Sequence, residues 1–181
     1  LRSMGQSAIQ SFLILYLMSP IDEGGLNKTA LMAGLFISGS QAVGIFAQPA
    51  MGWVSDRYGR KIVLVPAMTA LGLLFIALNF AEDGYQLWLN VLLMGAFVYS
   101  LHVIFIAAAM DVAEGKAQST VVSLIYGASF LGSFSPFIAA LIVKEFGLQS
   151  AFVYSGTMVL IATVLLATLK LPETNRTLFP H

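Results

Sequence analysis

The chain has 181 residues, 58% hydrophobic and 10% charged, with nine basic and nine acidic side chains that cancel. A soluble globular domain carries roughly 25% charged residues, so this composition excludes one and describes a protein of the bilayer. Balanced charge argues against nucleic acid as a partner, and the absence of cysteine excludes a disulfide framework, a thiol nucleophile and a thiolate metal site.

A bilayer core of about 30 Å takes about 20 apolar residues at 1.5 Å each. Six segments meet that need, at 3–19, 29–54, 62–80, 86–109, 118–143 and 149–169. They predict an all-α polytopic membrane protein, a single six-helix unit over residues 1–181. The first is not a secretory leader, because five more follow and no small-residue cleavage site closes it. A chain opening on Leu1 reads as cut from something longer.

Assigning the polar breaks alternately to the two sides gathers Arg2, Arg57, Arg60, Lys61, Lys116, Lys170 and Arg176 on one face. Lys28 and Lys144 fall on the other. The positive-inside bias makes the first face cytoplasmic, with both termini and the loop around Asp56 there, in a plasma or bacterial inner membrane.

In the first segment Gln6 and Gln10 lie one helical turn apart, with Tyr16 beyond, and Arg2 stands at the cytoplasmic end, read as a snorkelling anchor rather than an anion ligand. The second carries Gln41 and Gln48, two turns apart. Such carboxamides suit a polar substrate and equally suit bonds between helices.

Between the second and third segments the chain reads Gly52, Trp53, Val54, Ser55, Asp56, Arg57, Tyr58, Gly59, Arg60, Lys61. Glycine accepts the backbone of a tight turn between helix ends. The stretch resembles the loop signature of the major facilitator superfamily, G-x-x-x-D-R-x-G-R-[KR], at all six specified positions. That resemblance implies half of a twelve-helix transporter. It also implies that Asp56, with Arg57, Arg60 and Lys61, gates the cytoplasmic mouth by engaging a helix of the opposite half, so that Asp56 lacks its partner here. The competing reading is that the cations set topology and Asp56 pairs with one of them.

The third and sixth segments hold few strong hydrogen-bonding side chains and read as peripheral or lipid-facing. The fourth carries Asn90, Tyr99 and His102. His102 is the titratable group placed deep in a span, three residues from Tyr99 and on a similar face. It is a candidate for substrate contact or proton coupling, against a neutral packing histidine. The fifth carries Gln118, Tyr126, Ser129, Ser133 and Ser135. Ala128 and Gly132 stand four apart, which permits close helix approach, and Pro136 bends the helix. This segment lacks the Gly-Pro-x-x-Gly-Gly core of proton-driven drug exporters, which weakens a drug-antiporter reading.

The resemblance extends to two marks of a C-terminal half. The fourth segment lacks the arginine usual in N-terminal halves, and Leu171, Pro172, Glu173, Thr174, Asn175 and Arg176 look like the stretch after the last helix of sugar-porter-like members. The candidate pathway is Gln6, Gln10, Gln41, Tyr99, His102 and Tyr126; the signature set is Gly52, Asp56, Arg57, Gly59, Arg60 and Lys61. The function so implied is secondary transport of a small solute by alternating access, with protons as the candidate coupling ion. No enzyme activity, cofactor or metal is expected. Partners are the substrate, lipid, and the other six-helix half or a second copy. The alternative is a non-transporting scaffold or receptor built from such a half. An intramembrane serine protease is disfavoured because His102 precedes Ser129 and Phe130 replaces a needed glycine.

Overall fold

In the computed structural model, residues 1–81, 83–112 and 118–169 are described. Lys116, Lys170, Arg176, the Pro172 to Thr174 stretch and the side chain of Gln118, all used above, lie outside the described set. The helices are α1 (Arg2–Met18), α2 (Ala30–Tyr58), α3 (Arg60–Ala77), α4 (Tyr85–Val112), α5 (Gln118–Gly132), α6 (Ser135–Phe146) and α7 (Ser150–Thr168), and among the described residues there is no strand.

Local chemistry sets these ends. Thr29 caps α2 by accepting from the Met32 amide at 3.3 Å. Between α2 and α3 a single residue, Gly59, turns the chain at φ 103°, where a Cβ would clash with the backbone. The predicted fifth segment is two helices. Pro136 sits in the first turn of α6, where its missing N–H costs nothing, and the Ser133 and Phe134 amides donate three residues back, to the Phe130 and Leu131 carbonyls. α2 tolerates Pro49 and α3 tolerates Pro66 in their interiors.

Five stretches are long and apolar enough to cross a membrane: Ala30–Tyr58, Arg60–Phe80, Tyr85–Asp111, Ser119–Phe146 and Ser150–Thr168. Lipid is as apolar as a leucine core, so tight packing rather than hydrophobicity joins such helices. Small residues make the crossings. A Cβ added to Gly5 of α1 would stand 2.6 Å from the Ser155 carbonyl oxygen of α7, and one on Gly156 of α7 would stand 2.7 Å from the Gly72 carbonyl oxygen of α3. Gly95 of α4 lies directly on the Ser40 backbone of α2.

The core sits among α1, α3, α4 and α7, around Ile9, Leu64, Met68, Phe75, Leu101 and Phe152. This revises the peripheral reading of the third and sixth segments. α3 and α7 pack extensively on each other, and each buries one face while leaving Leu73 and Ile62, or Val164 and Leu165, outside. A helix without polar groups is equally at home against protein or lipid, so its composition could not separate the two. The large uncovered apolar side chains also include Ile45, Phe46, Phe130 and Phe137 on α2, α5 and α6.

Candidate functional site

At one end of the bundle the signature loop draws four helices together. Arg60, at the start of α3, forms an ion pair with Asp56 one turn back on α2. Its Nε donates to Asp111 Oδ2, near the end of α4, at 3.0 Å. The same guanidinium reaches the buried Ser55 hydroxyl at 3.5 Å. Lys61 donates through Nζ to the Ala167 carbonyl at 2.7 Å and to that of Leu169, placing a cation at the negative end of α7. Arg57 lies over the Trp53 ring at 5.3 Å and near the Tyr58 ring at 6.0 Å.

Asp56 therefore has a partner within the chain, contrary to the expectation that it stands open for an opposing helix. The i, i+4 spacing of Asp56 and Arg60 across the Gly59 turn makes that pair local. Asp111, the second acid on Arg60, was missed in the sequence; a carboxylate at the end of an apolar segment was its signal. Among the described residues Gly52 meets nothing within 4 Å of an added Cβ, so no close contact with them requires it. At the other end Lys28 pairs with Asp83, joining the approach to α2 with the approach to α4.

The deep polar residues separate into two groups. Tyr99 turns its ring onto Gly44 of α2. His102 faces α5, its ring centroid 6.2 Å from that of Tyr126 at a steep angle. The three-residue spacing thus sends Tyr99 and His102 to different neighbours, because 300° of helical rotation leaves a 60° offset. Gln10 and Gln41 are exposed and Gln48 is half-buried, and none joins His102.

Gln6 does join that group, through Arg2. The Arg2 Nη2 donates to Gln6 Oε1 at 3.0 Å and to the Val98 carbonyl at 3.1 Å, and the guanidinium lies 5.2 Å from the Phe105 ring centre. Val98 is near the midpoint of α4 (Tyr85–Val112), so Arg2 reaches the middle of the bundle and does not snorkel. The i, i+4 spacing of Arg2 and Gln6 was the legible clue. Ser3 Oγ donates to Ser129 Oγ at 3.3 Å, tying α1 to α5 beside the same space. A cavity of about 270 Å³ opens there, bounded by Arg2, Ser3, His102, Phe105, Ile125 and Ser129. Among the described residues no group of three or more His, Cys, Asp or Glu side chains is arranged to hold a metal ion.

Known proteins resemble the chain over most of its length. The multi-drug resistance efflux pump PmrA of Streptococcus pneumoniae is 29% identical over 141 residues, 78% of this chain and 35% of that protein. The PmrA homolog of Lactococcus lactis is 26% identical over 88% of the chain and 39% of its own length. The multidrug resistance protein MdtG of a Rahnella strain is 25% identical over 88% and 38%. The chain thus spans under two-fifths of the length of these relatives, and no solved structure matches it. A glycine-turned loop whose cations bind helix ends, set among apolar helices of spanning length, agrees with the model of the Major Facilitator Superfamily, which matches residues 2–180; the chain is an integral membrane protein of that family.

Proposed function

We propose that this chain is one six-helix half, the C-terminal one, of a secondary transporter that moves a small organic solute by alternating access, without covalent chemistry. The observation that carries the reading is the Arg60 clamp, which holds α2, α3 and α4 at one end, where opening and closing must act. The uncovered apolar side chains of α2, α5 and α6 support a second wall from another half. The relatives are named as multidrug efflux pumps, which supports export as the direction, although the fifth segment lacks the drug-exporter motif expected of proton-driven antiporters.

The test is efflux of ethidium from vesicles containing the protein as its natural reading frame encodes it. Asp56→Asn removes one of the two acids on Arg60 and should lower the rate severalfold at normal expression. Wild-type transport by Asp56→Asn would remove the clamp from the mechanism, and efflux of neither ethidium nor an organic anion such as benzoate by the wild type would favour a scaffold.

Orientation follows from the basic residues. The clamp end is assigned to the cytoplasm and the Lys28 end to the outside. Tyr58 and Asp22 are exposed at these two ends, and the chain has no background thiol. Tyr58→Cys should label from the cytoplasm alone and Asp22→Cys from outside alone. Labelling of Tyr58→Cys by an impermeant reagent outside intact cells would invert the assignment.

His102 is proposed to carry the coupling proton, since its unperturbed pKa of about 6.5 lets it titrate during a cycle. It shares its cavity with the Arg2 cation and packs near the Tyr126 phenol. His102→Gln keeps hydrogen-bonding capacity and should flatten the dependence of transport on pH. An unchanged pH profile and gradient response would remove His102 from coupling.

A further inference from the structure

An arginine at mid-depth in a membrane protein needs a source of negative charge, because an ion facing hydrocarbon without a partner is costly. Arg2 has hydrogen-bond acceptors but no charge partner among the described residues. Gln6 Oε1 and the Val98 carbonyl occupy Nη2, both are neutral, and the salt bridges among the described residues lie elsewhere. Its Nε is buried and without a partner. The Arg2 side chain lines the cavity of about 270 Å³ between α1, α4 and α5, which His102 and Ser129 also border.

We propose that this cavity binds the carboxylate of an organic anion, with Arg2 as its charge partner. The proposal rests on the transporter reading and names the charge of the solute. A guanidinium matches a carboxylate in shape and donor geometry, and such charge-assisted bonds are short and strong. One fixed cation balances one negative charge, which favours a monoanion over a phosphate dianion. Ser129, held by Ser3 at 3.3 Å, and His102 offer further polar contacts to the second oxygen. Phe105 and Ile125 supply the apolar wall for the body of the solute, as small-molecule sites require.

The experiment uses the intact protein purified in detergent, with benzoate and its neutral isostere benzamide as probes. Benzoate should raise the melting temperature and benzamide should not. Arg2→Gln should weaken the benzoate effect about tenfold or more, and Arg2→Lys, which keeps charge but loses the planar donors, should retain part of it. Ala128 also lines the cavity; Ala128→Phe, which adds bulk there and leaves Arg2 in place, should also abolish the effect, so the proposal stays testable if Arg2→Gln does not fold. Equal effects of both probes, or a benzoate shift that survives in Arg2→Gln, would overturn the site. No benzoate effect in the wild type would overturn it too. Efflux of ethidium and of benzoate by the same protein reconstituted into vesicles separates the two readings: transport of either solute without a benzoate effect on melting defeats only the site, and a benzoate effect on melting without transport of either defeats only the transporter.

Discussion

Arg60→Gln should cut transport by the intact protein about tenfold or more, with expression and membrane insertion close to wild type. The reasoning is one of magnitudes. Asp56 and Asp111 are 62% and 39% exposed, and Arg60 is 17% exposed, so each pair contributes only about 0.2–1 kcal/mol to folding. That is small against the stability of the bundle. It is large against a conformational equilibrium, where about 1.4 kcal/mol changes the ratio of two states tenfold. Losing Arg60 frees both carboxylates together, at neighbouring helix ends where they then repel. The closed form at that end should become rarer.

Two further measurements bind this to the clamp. Gln41 is exposed on α2 and is one of the residues expected on the substrate pathway, so Gln41→Cys should react faster with a cytoplasmic maleimide in the Arg60→Gln background. The exchange Arg60→Asp with Asp111→Arg restores one ion pair and should recover part of the transport, more than the sum of the single changes allows. Transport at the wild-type rate in Arg60→Gln, with unchanged maleimide reactivity, would reduce the loop to a topology signal.

The signature loop was legible because charge is scarce in this chain and glycine at 59 has a backbone reason. The helices were legible from apolar length, and the division between α5 and α6 was foreshadowed by Pro136 alone. Three features were hidden for physical reasons. Arg2 stands at the edge of an apolar window, where sequence cannot distinguish a side chain that rises to the interface from one that turns inward to Gln6 and Val98. The partner of Asp56 depended on the helix resuming immediately after Gly59, which puts Arg60 within reach. Tyr99 and His102 share a stripe on a helical wheel, yet the 60° between them is enough to aim one at α2 and the other at α5. Pattern gives the face of a helix; the neighbour that covers the face comes from packing.

Packing is also where the second large effect lies. Gly95→Val should prevent α2 and α4 from closing and leave little folded protein. The Gly95 position rests on the Ser40 backbone, with both the Ser40 carbonyl and its Cβ in the space that a side chain at 95 would need. Relief would have to come from moving a helix, since the obstacle is backbone rather than the tip of a flexible side chain. Overpacking a well-fitted core costs about 1–3 kcal/mol. Here the contact belongs to the most extensive helix pair in the chain, α2 on α4, where Phe36 also stacks on Trp88 with ring centres 3.8 Å apart. A shift at Gly95 spreads along that seam. Gly34 offers the control on the same α2 helix, because an added Cβ there meets nothing within 4 Å, so Gly34→Val should be tolerated. The measurement is the monodisperse yield and melting temperature of the intact protein in detergent. Comparable yield and melting for Gly95→Val and Gly34→Val would show that α2 and α4 do not depend on this close approach, and that the seam is held by its aromatic and aliphatic contacts instead.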